Sequence, residues 1–486
     1  MRGDPYRPPL RPSLDLDRDA ARSLATTMRS HGFDAEHLDA LVEVPRTANA
    51  AGGRALIAYR CDEAGPLGTL ARLFALSSSV PLEAAAAALH PHALADLVTA
   101  GLLEVHDSKA YATIQIQGFG PYLFATDLSS WYGDPAFVLQ FSRSAHRIAS
   151  AALFPSSGRV LDLCCGAGML GVIAADLGAE VVATDLNPRT AMFTRLNAAL
   201  NGVEIDARVG DGFDPVAGER FDLIVANPPF IISPDTSRMF LTAQQPVDGF
   251  CRSIAAGAEA HLTATGFCQF LAAWPVVEGE DPDARVGAWF DGFGGDVWVM
   301  EHERIGALDY AASFLDNRLD HPGDLGAWVA YYWEQRIEAI VHGLVTMQRS
   351  ATTRMRAHTT EPVEHDTPFR DHLASVFAAC CRVAAGGRDT LLDAVLVPGD
   401  AVSVVYETPL PPGAPRIEVR KRSGIHYVIE ANPVVAELLG ACDGQRSVRD
   451  VASLLAAARG VAVESLIDGV ATVAEESLAT GVLRAP

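Results

Sequence analysis

"FDLIVANPPFIIS", residues 221–233, runs an apolar segment straight into Asn227-Pro228-Pro229-Phe230. The segment has the composition of a buried strand. Two consecutive prolines then remove backbone donors and restrict the preceding residue, so neither a strand nor an ordinary helical turn continues freely. A strand that stops on so stiff a corner fixes in space whatever the corner carries. Asn227 offers a side-chain amide oxygen, and Pro228 offers a carbonyl but no N–H. Two acceptors on a rigid support suit a planar –NH2 group, which has two N–H donors. Holding both donors favours the nitrogen lone pair turning out of the plane. Phe230 adds a flat apolar face for a planar partner.

The segments upstream alternate in character. "RVLDLCC" (159–165), "EVVATDL" (180–186) and "IDARVGDGF" (205–213) read as strands, and "RTAMFTRLNAALNG" (189–202) reads as a helix between two of them. Near-continuous apolar strands alternating with helices predict an α/β fold, a Rossmann-like, mostly parallel sheet covered on both faces. The first strand enters Gly166-x-Gly168-x-x-Gly171. These glycines let the backbone turn tightly and approach a ligand, and the helix behind them favours negative charge. Alone, the pattern fits nicotinamide and flavin cofactors as well.

Asp162, four residues before Gly166, narrows the choice. A carboxylate beside a pyrophosphate would repel it, whereas a cofactor with a cationic amino group and a sulfonium would welcome it. S-adenosylmethionine has both. Asp185 ends the second strand 19 residues after Gly166, where an acid accepts from ribose hydroxyls. Asp211 follows the third strand, where an acid can accept from an adenine amino group. Each aspartate alone also fits a turn or helix cap. Three at successive strand ends, followed by Asn227 at the fourth, make one site.

Residues 158–275 resemble the class I S-adenosylmethionine-dependent methyltransferases: "VLDLCCGAG", "VVATD", "GDGF" and "NPPF" match that superfamily's motifs in order. The resemblance implies a seven-stranded sheet and S-adenosylmethionine held by Asp162, Cys164, Gly166, Gly168, Asp185, Leu186, Asp211, Gly212 and Asn227. It implies a catalytic corner of Asn227, Pro228, Pro229 and Phe230. The tetrad is similar to the N-methyltransferase branch, which includes release-factor glutamine, ribosomal RNA base and adenine-N6 DNA enzymes. The arrangement around it resembles three-part actinobacterial methyltransferases. Phe230 stands where glutamine methyltransferases more often carry Tyr.

The chain has 486 residues, enough for several domains. We expect an N-terminal helical, winged-helix-like domain (1–127), the methyltransferase domain (128–320), a connecting region (321–410) and a C-terminal winged-helix-like module (411–486). In the first, "AYATIQIQG" and "PYLFATDLS" read as the β-ribbon. A helix is predicted around 323–347. The last module loosely resembles small peptide-binding winged helices. Trp131, Tyr132 and His146 are candidate substrate-pocket residues just before the methyltransferase strands, with Tyr122, Phe124, Asp134 and Ser142 near them. Interdomain packing is the competing reading for the aromatics.

Acids outnumber bases 60 to 38, a net charge of −22. That disfavours broad electrostatic binding to a phosphate backbone, so a protein, peptide or small-molecule acceptor is expected ahead of RNA or DNA. The basic groups Arg349, Arg354 and Arg356, and Arg420-Lys421-Arg422, read as solvated faces. Eight scattered cysteines, without C-x-x-C, read as buried thiols rather than metal ligands. No apolar stretch reaches membrane-spanning length and no secretory signal opens the chain, so a cytoplasmic location is expected. A nicotinamide oxidoreductase, an O-methyltransferase and an idle cofactor-binding regulator are the alternatives. Asp162 and Asn-Pro-Pro-Phe speak against the oxidoreductase, an O-methyltransferase leaves Asn-Pro-Pro-Phe unexplained, and tight cofactor binding without methyl transfer would favour the regulator.

Overall fold

The computed structural model describes residues 13–45, 49–139, 142–235, 242, 245, 247–314, 324–350, 356–359, 370–407, 416–423 and 427–486. Its centre is a sheet of strands β1 (Arg159–Leu163), β2 (Glu180–Asp185), β3 (Asp206–Val209), β4 (Phe221–Ala226), β5 (Leu262–Val277), β6 (Gly295–Gly306), β7 (Ile337–Arg349) and β8 (Arg356–Thr359). The order is β8-β6-β7-β5-β4-β1-β2-β3. Strands β3, β2, β1, β4 and β5 are mutually parallel. Strand β7 runs antiparallel between β5 and β6. The sheet is the mostly parallel one expected, with a short eighth strand added beside β6.

Alternate residues of each strand serve opposite faces. Val160, Leu223 and Val225 pack with helix α1 (Met169–Asp176) and the helix Arg143–Ala151. Leu161, Leu163, Ile224 and Ala226 pack with helix α3 (Gly249–His261). Helix α2 (Pro188–Leu200) gives Phe193, Leu196 and Leu200 to the core of the N-terminal unit. Chain order reverses at β1, because β2 and β4 lie on its two sides. That is where an open α/β sheet leaves a crevice beyond its C-terminal strand ends.

Several expectations are corrected. The helix predicted to 347 stops at Glu334, and residues 337–349 are β7. This stretch is rich in Ile and Val, and Ile340, Val341, Leu344 and Val345 are fully buried between two neighbouring strands. An apolar run of that kind fits a buried helix or a buried strand, and tertiary pairing decides. Residues 337–349 therefore belong to the central sheet and not to a connector. The later boundary moves too. Val402–Glu407 pairs with Arg416–Lys421, which pairs with Tyr427–Ala431, so a division at 411 cuts through one sheet. The proline-rich stretch 409–415 lies outside the described residues.

In the N-terminal unit, "AYATIQIQG" is two strands. Thr113 donates from its N–H to the Leu102 carbonyl at 3.0 Å and turns the chain between them. Lys109–Ala112 pairs with Leu103–His106 around Asp107-Ser108, both at positive φ. Ile114–Phe119 and Tyr122–Asp127 form a separate hairpin. At the other end, Asn432 caps the helix Pro433–Ala441, and Ser447 with Asp450 closes a capping box. No helix of the described residues is long and apolar enough to cross a membrane.

Candidate active site

The turn after β1 is tight. Cys164, Gly166 and Gly168 all have positive φ. At Gly168 (φ +77°) a Cβ would come within 2.7 Å of Thr194 on α2, so this position has room only for glycine. At Gly166 (φ +53°) a Cβ would meet nothing within 4 Å, which leaves the turn's outer side open for close approach. The Gly166 N–H donates to Asp185 Oδ2 at 3.0 Å, and the Gly171 N–H donates to Asp162 Oδ2 at 2.8 Å. Two strand-end acids thus shape the turn from behind. Burial raises the Asp162 carboxyl to about 8, against the lowering pull of the Gly171 N–H. Burial also raises Asp185, opposed by the N–H groups of Asn187, Gly166 and Leu186.

Helix α2 ties this turn to the hairpin. Asn197 accepts from the Ala125 N–H at 2.6 Å, and its amide donates to the carbonyls of Ala125 and Ala167 at 2.9 and 2.8 Å. Arg189 holds the fully buried Asp127 through Nη2 at 2.5 Å, and Asp127 accepts from the Val138 N–H at 2.9 Å. Asn187 donates to the Ala136 carbonyl at 3.0 Å. These bonds hang residues 136–139 over the strand ends.

One cavity of about 220 Å³ opens there. Asp162, Cys164, Gly166, Asp185, Leu186, Asp211, Gly212, Asn227 and Pro229 line it. Gly168 lies below as the N-cap of α1, and Pro228 is buried beneath the corner. Phe230 is half-buried. It meets His342 edge-on at 5.5 Å and bridges Thr242 in antiparallel fashion. Ser142 is in the cavity wall, whereas the proposed pocket aromatics are not. Trp131 packs with Leu128 and Phe137, and Tyr132 meets Phe137 at 5.5 Å. Both back Phe137, which does line the cavity. His146 is turned to Phe119 at 4.6 Å. Phe124 is fully buried, Tyr122 donates to Asp176, and Asp134 accepts from the Ala136 N–H in a turn. A helix directs successive side chains about 100° apart, so nearness in sequence did not put His146 on the cavity side.

Sequence reasoning missed Thr184, Asn187, Phe137–Leu139, Thr242, Gln245 and Phe250, which also line the cavity. Asn187-Pro188 carried a readable signal, a capping residue before Pro at the first helical position. The others carried none, because they reach the cavity only through chain folding.

At the acceptor corner, Asn227 Oδ1 is buried and has no hydrogen-bond partner among the described residues. Such groups are rare in native structures and call for an explanation. The chain beyond the corner is held firmly. Tyr332 donates to the Ile232 carbonyl at 2.7 Å. The Ile232 N–H faces the Tyr310 hydroxyl, which lies 3.3 Å from His342 Nε2. Burial lowers His342 to about 4, so the ring is neutral near pH 7. Burial pushes the Cys164 and Cys165 thiols well above their ordinary value, which leaves them un-ionised and unsuited to nucleophilic work.

The donor set fits S-adenosylmethionine. Buried acids stand at the glycine turn for cationic and hydroxyl groups, and an open backbone approach lies at Gly166. The centre of the chain thus has the sheet order and donor set expected of a class I S-adenosylmethionine-dependent methyltransferase domain. Residues 142–266 match the family described as methyltransferase small domain, and residues 30–113 match a domain of unknown function. The ribosomal RNA small subunit methyltransferase C of Enterobacter sp. (strain 638) is 33% identical over 137 residues, 27% of this chain and 39% of that protein. The same-named protein of Serratia proteamaculans is 29% identical over the same shares. The chain therefore spans about two-fifths of the length of these curated relatives. Among solved structures, a T. thermophilus 16S rRNA N2 G1207 methyltransferase in complex with AdoMet and guanosine superposes with a TM-score of 0.27. It is 16% identical and covers 50% of this chain and 59% of that one.

Proposed function

We propose that this chain is an N-methyltransferase that modifies the exocyclic amino group of an RNA base. One observation carries the chemistry: a buried Asn227 Oδ1 just after β4, without a partner among the described residues, on the wall of the cofactor cavity. When bound, S-adenosylmethionine supplies a methyl group on a sulfonium. Asn227 Oδ1 and the Pro228 carbonyl accept the two N–H bonds of the substrate amine, which fixes the nitrogen and turns its lone pair outward. Asp162 and Asp185 hold the cofactor's cationic and hydroxyl groups. The surplus amine proton leaves to solvent, so no separate base is required. Phe230, backed by His342, contributes an apolar surface near the corner.

The choice of RNA over a peptide or small natural product is supported by the curated relatives, whose names specify ribosomal RNA. The acidic composition that favoured the other substrates is a whole-chain sum. Salt screens exposed charges beyond roughly 8 Å under physiological conditions, so a net charge says little about the field at one cavity.

Radiolabelled methyl transfer to protein-free small-subunit ribosomal RNA, protein and small-molecule pools tests the assignment. RNA is expected to take up label, and Asn227→Ala is expected to lose transfer while retaining S-adenosylhomocysteine. Label confined to protein or small molecules would remove the RNA assignment. An Asn227→Ala variant of near wild-type rate would remove the role of the corner.

A further inference from the structure

We propose that Arg143 and Arg147 form a phosphate-contact site for the nucleic-acid strand that carries the modified base, an inference that rests on the RNA reading above. The two residues stand one turn apart on the helix Arg143–Ala151. The same helix gives Ser142, its cap, and Ala145 to the cavity wall, and Ile148, Ala149 and Ala151 to the core. Arg143 is exposed and Arg147 half-buried.

Helix physics opposes this placement. Like charges at i and i+4 repel. Arg143 also sits in the first turn, where the helix dipole is already positive. Ser142 adds an acceptor at that end, taking the Ala145 N–H at 3.3 Å, but brings no negative charge. Neither guanidinium forms an ion pair or hydrogen bond with a described residue, and Glu303 acts on Arg147 only through space. Four other arginines of the central domain are placed differently. Arg159, Arg189, Arg208 and Arg285 are each bound to at least one carboxylate. In the basic run near the C-terminus, Arg420 is held by Glu407 and Glu418 and Lys421 is buried, which leaves Arg422 as its one exposed residue.

The pair is also well placed. Arg147 is close enough to His342 for its charge to be felt there, and His342 lies edge-on to Phe230 at 5.5 Å. Arg147 therefore stands on the side of the cavity that carries Phe230, and Arg143 lies one turn before it on the same helix, next to the cavity-lining Ser142. Guanidinium forks match the oxygens of a phosphate, and an anion there would relieve both the mutual repulsion and the dipole conflict. A base whose amino group reaches Asn227 would bring its own backbone phosphates to the cavity rim.

Filter binding with protein-free small-subunit ribosomal RNA, between about 50 and 200 mM salt, reads this site. For Arg143→Ala/Arg147→Ala, the slope of log affinity against log salt should become shallower by about 0.7–0.9 for each phosphate no longer neutralised. Arg143→Lys/Arg147→Lys should restore the slope but not the full affinity, since a lysine cannot bind in fork fashion. S-adenosylhomocysteine binding should match wild type in both variants, which verifies the fold. If wild type methylates or binds RNA and the double alanine variant keeps its slope, the arginine site is overturned and the RNA reading stands. If wild type shows no salt-dependent RNA binding, both are overturned.

Discussion

The two sides of the cavity are built on opposite terms. On the cofactor side, the backbone groups of the turn are bonded before any ligand arrives, Gly166 N–H to Asp185, Gly171 N–H to Asp162 and Asn187 N–H to Asp185, and among the described residues only Thr184 Oγ1 there is buried without a partner. On the acceptor side, Asn227 Oδ1 is buried with no partner among the described residues, while the peptide behind it is pinned by Tyr310 and Tyr332. A satisfied network fixes a shape. A held but unsatisfied acceptor fixes a direction and leaves about 1–3 kcal/mol to be recovered when a donor arrives. The bonds that shape the glycine turn join residues 2 to 19 positions apart, although the wall over it is anchored by Arg189 to Asp127, 62 positions away; the clamp on the acceptor side joins residues 100 positions apart.

The largest expected effect tests how firmly the cofactor side is locked. Arg189→Ala leaves Asp127 as a fully buried carboxylate without its cation, at a cost of about 3–5 kcal/mol in chemical denaturation. A loss under about 1 kcal/mol, the scale of an exposed pair, would mean that the wall at 136–139 is not anchored by these two residues. Next comes Asn227→Ala, for which transfer should fall about 10²–10³-fold, the scale for removing one pre-organised polar group. Cofactor affinity should hold, and a parallel loss of S-adenosylhomocysteine binding would blur the division between the two sides.

Tyr332→Phe probes the clamp. It removes the donor to the buried Ile232 carbonyl, for about 1–3 kcal/mol. If the clamp aims Asn227, kcat falls with cofactor affinity unchanged. A fall in stability alone, with kcat intact, would make Tyr332 a packing residue. The smallest effect is in pH. Asp162, raised by burial to about 8, is mostly protonated at pH 7 without ligand. A cationic ligand favours the carboxylate, so binding releases a proton and affinity rises with pH, by up to about tenfold per unit, levelling near 8. The unliganded fold has the opposite slope. This carboxyl contributes stability at low pH that is lost as pH rises towards 8, because the unfolded carboxyl ionises first. Calorimetry in two buffers of different ionisation enthalpy measures the proton, and Asp162→Asn should abolish it.

Legibility in the sequence follows the same division. Glycines at positive φ, acids at strand ends and the Asn-Pro-Pro corner are legible because each is dictated within a few residues. Phe137, Thr242, Tyr310 and Tyr332 carry no such mark. Trp131, Tyr132 and His146 misled because adjacency along the chain is not adjacency in space. Residues 337–349 misled for a related reason, since an apolar run has no preferred partner until one is supplied.

By itself, the sequence determined the α/β alternation, the glycine turn and the stiff Asn227-Pro228 corner proposed as the acceptor pair, because backbone sterics and donor counts act locally. Only the tertiary structure decided that β7 enters the central sheet, that Phe137 rather than Trp131 faces the cavity, and that the acceptor corner is clamped by two tyrosines. Those outcomes depend on burial and hydrogen-bond satisfaction between distant segments, which no local pattern encodes.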